Sequence, residues 1–255
     1  GILISVMIYA VGGGLLEVLV SPIVEACPAE NKERQMSLLH SFYCWGHVAV
    51  VLFSTIFFSL FGIGNWKILC LIWMLIPAVN AIIFTKVPMP ELYGEEIPGL
   101  SLRELVRNKI FWLMLLLMTC AGACEQAVSQ WASVFAEQGL GVEKTVGDLA
   151  GPMLFASAMG LSRLLYGKFG GGLKAEKTML FSGILCVATY LLIALSPVPI
   201  FSLIGCGVCG FAVGILWPGA FSTAAKTIPT GGTVMFAFLA LAGDLGCTAG
   251  PTLVG

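Results

Sequence analysis

Residues 178–225 read TMLFSGILCVATYLLIALSPVPIFSLIGCGVCGFAVGILWPGAFSTAA and contain no Lys, Arg, Asp or Glu. A helix needs about 20 apolar residues to cross about 30 Å of hydrocarbon, so this stretch is too long for one span. Pro197-Val-Pro199 divides it, because proline removes a backbone donor and clashes with the preceding turn of a helix. The stretch therefore predicts two consecutive transmembrane helices.

The whole chain has the composition of a membrane protein. Apolar residues make up 58% of its 255 residues and charged residues 11%, against about 45–50% and about 25% in soluble domains. With 13 basic and 14 acidic residues, the chain has no basic excess for nucleic-acid binding. Nearly all of the nine cysteines lie in apolar runs, which favours packing over a secreted disulfide framework. Composition thus excludes a soluble enzyme and predicts an all-α, polytopic membrane bundle, and no motif indicates a metal site or a cofactor.

Apolar runs elsewhere bring the predicted number of spans to eight. They cover residues 2–26, part of 37–66, 68–85, 110–135, 146–169, the two halves of 178–225, and 233–255. All Lys and Arg residues except Lys67 and Lys144 then fall on one side, and that side is the cytoplasmic one by the positive-inside rule. We therefore expect the start of the chain outside the cell membrane and the connection 88–109 in the cytoplasm.

The connection 88–109 is the longest and most charged, and it divides the chain into two parts. Residues 1–87 would form three helices of a first bundle, and residues 110–255 five helices of a second bundle. Within the connection, Ser101 and Glu104 have the spacing of a capping box. We interpret it as a solvated linker that carries a short amphipathic helix.

Prolines and glycines form a weak internal repeat. One register shift places Pro22 on Pro218 and Phe42 on Phe238, and a glycine-rich run precedes each proline. Corresponding Gly/Pro-interrupted spans in two halves indicate the binding region of a transporter. Each proline frees a carbonyl, which needs a neighbouring helix or a wet cavity. Pro22 and Pro218 are therefore candidate gating positions; close helix packing is the alternative explanation for the glycines.

Four segments resemble one known family. GGGLLEVLVSP at residues 12–22 and LLHSFYCWG at residues 38–46 resemble the fourth and fifth helices of the major facilitator superfamily. The closest likeness is to its fucose/galactose/glucose–proton symporter branch. GACE at residues 122–125, followed by Trp131, is similar to the seventh helix, and GLSRLLYGK at residues 160–168 resembles the cytoplasmic signature after the eighth.

The resemblance implies an incomplete transporter of two pseudo-symmetric bundles, in which the eight spans are helices four to eleven of twelve. It assigns proton coupling to Glu17, and it assigns a conformational latch to Arg163 and Lys168, for which snorkelling at the cytoplasmic edge is the alternative. The sequence departs from the branch at Ser21-Pro22, where an Asn-Pro pair is usual. It also departs at His40 and Tyr43, where relatives carry amides that contact sugar.

Carboxylates at membrane depth are costly and usually functional. Three residues meet this description and are the candidate proton-coupling groups: Glu17, Glu125 and Asp244. Each has a second interpretation. Glu17 would also suit a structural hydrogen bond to Ser21 four residues on, Glu125 a contact to a substrate hydroxyl, and Asp244 a pairing with a neighbouring helix.

Candidate substrate-binding residues lie on two of the spans. His40, Tyr43 and His47 share one face of the second span, where they would either line a cavity or make interhelical bonds. On the fourth span, Gln126 and Gln130 place two amides on one face, beside the aromatic ring of Trp131. Amides beside an aromatic platform suit a polyol, whereas Trp131 alone would also suit an interfacial anchor.

These observations predict a secondary active transporter that works by alternating access. The expected activity is proton-coupled symport of a sugar or a related small polar metabolite, and the alternative is efflux of amphipathic compounds or organic anions. The expected partners are the solute, protons and the lipid bilayer, with no nucleic acid, and the protein is expected to be a monomer. A membrane enzyme is disfavoured, because the chain contains neither His-Glu-x-x-His nor Gly-x-Ser-x-Gly.

Overall fold

The computed structural model describes residues 1–88 and 100–255, and this part of the chain is helical and without strands. The α-helices are α1 (Ile2–Ala26), α2 (Lys32–Phe61), α3 (Trp66–Phe84), α4 (Leu102–Arg107), α5 (Lys109–Leu140), α6 (Lys144–Asp148), α7 (Leu154–Phe169), α8 (Ala175–Leu195), α9 (Pro199–Val213), α10 (Leu216–Thr227) and α11 (Gly232–Val254). Single 3-10 turns precede α3 and follow α7.

Seven helical stretches of the described residues are long and apolar enough to cross a membrane. They are α1, α2, α3 with the turn before it, α5, α8, α9 continuing into α10, and α11. The break predicted at Pro197-Val-Pro199 is present, since α8 ends at Leu195 and α9 begins at Pro199. Proline suits this first helical position, where its missing N–H costs nothing. The predicted all-α, polytopic membrane bundle is thereby confirmed.

The fifth predicted span, residues 146–169, is not one continuous α-helix. It consists of α6, a π-helical segment (Leu149–Met153) and α7. Pro152 lies inside the π segment and cannot donate a backbone hydrogen bond, which favours a local change of helical pitch. Gly151 of the same segment lies so close to α5 that a Cβ atom would stand 2.6 Å from the carbonyl carbon of Ala132. The wider turn therefore sits where two backbones approach.

The helices on either side of α4 form two groups that meet along a seam. α2 contacts α1 and α3 in the first group, and α5 packs on α11, α7 on α9, and α8 on α9 in the second. The seam consists of α2 against α7 and α10, and of α1 against α11. The boundaries 1–87, 88–109 and 110–255 stay predictions, and residues 89–99 of the linker lie outside the described residues.

The linker helix α4 has the predicted capping box and also a buried face. The hydroxyl and N–H of Ser101 donate to the Glu104 carboxylate over 2.6 and 2.8 Å, which holds the pKa of that carboxyl below its ordinary value. Leu105 is fully buried in a cluster with Met36 of α2 and Phe111 of α5. The predicted short amphipathic helix is therefore present, and Leu105 on its apolar side anchors it where the two helix groups meet.

Removal of the cap should loosen α4. Ser101→Ala takes away the hydroxyl that bonds to Glu104, and losing an N-cap costs about 1 kcal/mol of helix stability. We expect faster hydrogen–deuterium exchange of the α4 amides, with the transmembrane helices unchanged. Glu104→Gln is the matched control, since its amide oxygen still accepts from Ser101 and a smaller increase is expected. Equal protection of α4 in wild type and Ser101→Ala would contradict the role of the cap.

The carboxylate adds a pH dependence with a definite sign. Because the pKa of Glu104 is lowered in the folded state, its bonds stabilise α4 at neutral pH. This stabilisation is lost as the pH falls through the lowered pKa.

Candidate functional site

The three intramembrane carboxylates converge at the seam. Glu17 comes from α1 of the first group, whereas Glu125 and Asp244 come from α5 and α11 of the second. Glu125 and Asp244 both lie within electrostatic range of Glu17. Glu17 makes no side-chain hydrogen bond to the described residues, so the alternative bond to Ser21 is absent; the Ser21 hydroxyl instead lies 3.4 Å from Nε2 of His40. We call the region around these three acids the central site.

A polar cavity of about 490 Å³ adjoins the acids on the side of α5 and α11. Its walls carry Gln126, Gln130, Asp244, Cys247, Thr248, Pro251 and Thr252. Cys247 joins the cavity to the carboxylates, since it lies within electrostatic range of all three. Volumes of about 300–1,000 Å³ are typical of small-molecule sites, and two amides, a hydroxyl-bearing rim and a carboxylate suit a polyhydroxylated solute.

The three candidate residues on α2, His40, Tyr43 and His47, lie in two different environments. His40 stacks on Phe221 of α10, with ring centroids 5.6 Å apart, and is thereby packed in the seam. Tyr43 is half-exposed and contacts His47 edge to face at 6.3 Å. Both Tyr43 and His47 lie within electrostatic range of Glu125. The latter two residues therefore adjoin the central site, whereas the ring of His40 is occupied by protein contacts.

Arg163, expected at the cytoplasmic edge of its span, has a side chain that is buried beside the central site. Its side chain is 2% exposed, and Nη2 pairs with the Glu125 carboxylate at 3.0 Å. Nη1 donates across the seam to the carbonyl of His40 at 3.1 Å and to Sγ of Cys44 at 3.2 Å. Snorkelling is wrong for this residue, because a buried guanidinium with these partners has no need to reach the interface.

The remaining donor of Arg163 satisfies a carbonyl that a proline leaves free. Pro218 has no N–H, so the carbonyl of Gly214, four residues earlier, lacks its helical partner. Nε of Arg163 donates to this carbonyl at 2.8 Å. The chain turns here between α9 and α10, and a Cβ atom on Gly214 would stand 2.8 Å from Cβ of Ser162. Pro218 thus leaves a carbonyl free at a helix break, and Arg163 donates a hydrogen bond to that carbonyl.

One end of the seam is closed by polar contacts. We call it the linker end, because α2 begins and α7 ends there, beside α4. Arg34 of α2 donates to the carbonyls of Gly167 and Lys168 at 2.7 and 2.6 Å. Glu33 accepts from the Tyr166 hydroxyl at 3.2 Å and pairs with Lys226 of α10 at 3.6 Å. These bonds join the two groups directly, so the bundle is closed at this end.

Deeper in the seam, α2 and α7 approach closely. The Ser37 hydroxyl donates to the carbonyl of Arg163 at 2.8 Å. A Cβ atom on Gly160 would stand 2.9 Å from Cβ of Cys44, so the small residue permits the contact. Closure therefore extends from the linker end to the depth of Arg163.

Trp131 contributes to packing at the far end of α5. Its Nε1 donates to the carbonyl of Pro251 on α11 at 3.1 Å, and the ring is 40% exposed. It is not among the residues that line the polar cavity. Of the fourth-span candidates, Gln126 and Gln130 thus adjoin the cavity with Asp244, whereas Trp131 fastens α5 to α11. Pro22 is buried in α1, next to Ser21, which contacts His40.

A second cavity of about 1,100 Å³ lies on the side of the second group. It runs between α5 and α8, and its walls are mostly apolar, with Cys120, Cys124, Cys186 and Tyr190 among them. None of the three carboxylates lines it. Of its few polar lining residues, Tyr190 already donates to the carbonyl of Cys124 and Glu176 pairs with Lys226, so the smaller cavity is the better candidate site for a polar solute.

Sequence reasoning missed three features of the site: the burial of Arg163, the contribution of Cys247, and the ion pairs of Lys226 with Glu33 and Glu176. The first had a usable signal. Arg163 precedes the end of α7 by six residues, about 9 Å along the helix axis, and an arginine at that depth needs a counter-ion. Glu125 was available as a partner in the sequence.

Comparison with known proteins adds the family. The sequence profile described as Major Facilitator Superfamily matches residues 1–251. No curated protein matches the chain at a significant level. The match covers both helix groups and the whole central site.

Proposed function

The chain belongs to the Major Facilitator Superfamily and is therefore a multi-pass secondary transporter, and we propose that it carries a sugar or a similar small polar metabolite together with protons. The observation that carries this proposal is the convergence of Glu17, Glu125 and Asp244 beside a polar cavity at the seam. Carboxylates can bind and release protons within a membrane, and they are costly to keep there without a function.

The location at the seam supports alternating access. Glu17 belongs to the first helix group and Asp244 to the second, so a proton or solute held between them contacts both. Rocking of two bundles about such a shared site exposes it to one side of the membrane and then the other. The basic connections support a cytoplasmic linker end and an outer chain start. In that orientation, closure at the linker end would leave the central site accessible from outside, and we expect the protein to act as a monomer in the cell membrane.

Charge in the central site favours a neutral solute over an organic anion. Among the described residues, Arg163 is the cation that pairs with a central carboxylate, and its charge is already balanced by Glu125. Glu17 and Asp244 make no ion pair to the described residues and would repel an anion. The larger apolar cavity between α5 and α8 supports the alternative function, which is efflux of amphipathic compounds.

The role of Glu17 can be tested in proteoliposomes. Glu17→Gln removes the titratable group, so uptake driven by an inward proton gradient should fall to the leak rate. Exchange of labelled for unlabelled solute should persist, because exchange needs no net proton movement. Glu25→Gln is the matched control: it makes the same change on the same helix, away from the central site, and should keep uphill uptake. Accumulation against a gradient by Glu17→Gln would overturn the assignment.

The solute class needs a separate measurement. A thermal-shift panel with neutral sugars, organic anions and amphipathic cations should show protection by members of the first group. Gln126→Ala should reduce this protection, because the amide lines the polar cavity. Protection by amphipathic compounds alone, unaffected by Gln126→Ala, would favour efflux instead.

A further inference from the structure

Arg163 is the one side chain in the described residues that contacts Glu125, the helix break at Gly214 and the opposite helix group through separate donor atoms. Nε and Nη2 bind within the second group, and Nη1 binds His40 and Cys44 of α2. If the seam opened, the contacts of Nη1 and the approach of the guanidinium to the Tyr43 ring would be lost, whereas the bonds of Nε and Nη2 would remain. Arg163 is therefore held in place within the second group and also donates hydrogen bonds to the first group.

Closure of the seam removes this guanidinium from water. Arg163 is 2% exposed in the closed arrangement, and its counter-ion Glu125 is 7% exposed. A buried cation is tolerated when a carboxylate balances it, and it is strongly unfavourable when the partner is removed. The free energy of the closed seam thus depends on the charge of Glu125, whereas an open and hydrated seam would depend on it much less.

We propose that Arg163 is a positioning residue that makes closure of the linker end conditional on the negative charge of Glu125. When a proton or a solute group binds this carboxylate, the buried guanidinium is left without a counter-ion and without water. The seam then opens, and the guanidinium is hydrated. The inference rests on the proposed central site and names its regulation. It differs from a latch at the membrane edge, because the controlling contact lies at the depth of the site.

Several groups face Glu125 and would influence its charge. Tyr43 and His47 come from α2, Glu17 from α1, and Cys247 from α11, all within electrostatic range. Arg163 from α7 is the only one of them paired with it. A change at Glu125 therefore acts first on Arg163, and through Nη1 on α2.

Native cysteines offer a readout of the seam. Cys44 is fully buried between α2 and α7 and contacts Arg163. Cys209 is also fully buried and belongs to the same cluster as Cys44, but it lies on α9 of the second group, and its neighbours there include Phe155 and Val213 of that group. Opening of the seam exposes Cys44 and leaves Cys209 covered, whereas unfolding exposes both.

The experiment is labelling of the purified protein in nanodiscs with N-ethylmaleimide, followed by peptide-resolved mass spectrometry. Glu125→Gln removes the charge, and Arg163→Lys keeps a charge but loses the fork that reaches four partners. In both variants Cys44 should react faster by about 5- to 150-fold, the usual range of coupling between two sites. Cys209 should react at the wild-type rate. The double variant should react no faster than the quicker single variant, because the two residues act as one unit.

Lys226→Met is the matched control. It removes a cation from the exposed end of the same seam, where ion pairs contribute little, and should leave Cys44 near the wild-type rate. The proposal is overturned if Cys44 is unchanged in both central variants, if Cys209 accelerates in parallel, or if Lys226→Met has an equal effect. Labelling is measured without solute or proton gradient, so failure here is distinguishable from failure of the proposed transport.

Discussion

Arg163→Met is expected to destabilise the protein by about 3–5 kcal/mol, the usual cost of removing one partner from a buried ion pair. Methionine fills much of the same space but leaves the Glu125 carboxylate without its cation. It also leaves the carbonyls of Gly214 and His40 without their donors. The measurement is the midpoint of unfolding in denaturant or heat, in detergent or nanodiscs.

A double variant separates charge from packing. Arg163→Met combined with Glu125→Leu removes both charges together, and replacing a buried pair by apolar residues is often neutral. We expect it to recover most of the lost stability, with a remainder for the two carbonyls. If the single variant is as stable as wild type, or if the double variant is no better than the single one, the pair has little energetic importance.

Gly246→Ala is expected to cost about 3 kcal/mol, the upper part of the usual range for overpacking, because α5 and α11 touch backbone to backbone there. A Cβ atom on Gly246 would stand 2.0 Å from the carbonyl oxygen of Thr119. A main-chain oxygen cannot turn aside as a flexible side chain can, so the helices would have to separate. The same unfolding measurement applies.

Gly183→Ala on α8 is the matched control for this steric argument. It makes the same change within a transmembrane helix, but nothing lies within 4 Å of the added atom. Alanine also favours helix over glycine by about 1 kcal/mol in water, so the control should be neutral or slightly stabilising. Equal stability of the two variants would show that the α5–α11 contact tolerates separation.

The helices were predictable because the bilayer imposes a simple rule on the sequence. Apolar runs of membrane length identify α1, α5 and α11, and the proline pair identifies the gap between α8 and α9. The capping box at Ser101 identified α4 for a similar reason, since both partners lie within one turn. Local signals were thus sufficient for the helices and for most of their ends.

The arrangement of the site was only partly predictable, because its contacts join residues distant in sequence. Arg163 meets Glu125 on α5, Gly214 beside α10 and His40 on α2. No spacing rule connects these positions. The depth of Glu17 indicated a functional acid, but its proximity to Asp244 depends on how α1 packs against α11.

Contacts with neighbouring helices also determine structural features that a hydropathy pattern cannot show. Leu102, Leu105 and Val106 are all apolar residues of the linker helix, yet only Leu105 among them is completely buried, where α4 meets α2 and α5. The π segment around Pro152 lies in an apolar run that would suit an unbroken helix, and its close approach to Ala132 is a property of the folded bundle. Both depend on tertiary packing rather than on the local pattern.

The carbonyl of Gly214, which Pro218 leaves free and Arg163 binds, has a consequence for how positions 163 and 218 can evolve. With proline at 218, losing the arginine strands an oxygen; with an N–H at 218, that oxygen regains a partner in its own helix. The tolerance of position 163 to substitution is therefore set by a residue on another helix. Among mutants, this geometry would therefore appear as a genetic interaction between positions 163 and 218, and not as the effect of either substitution alone.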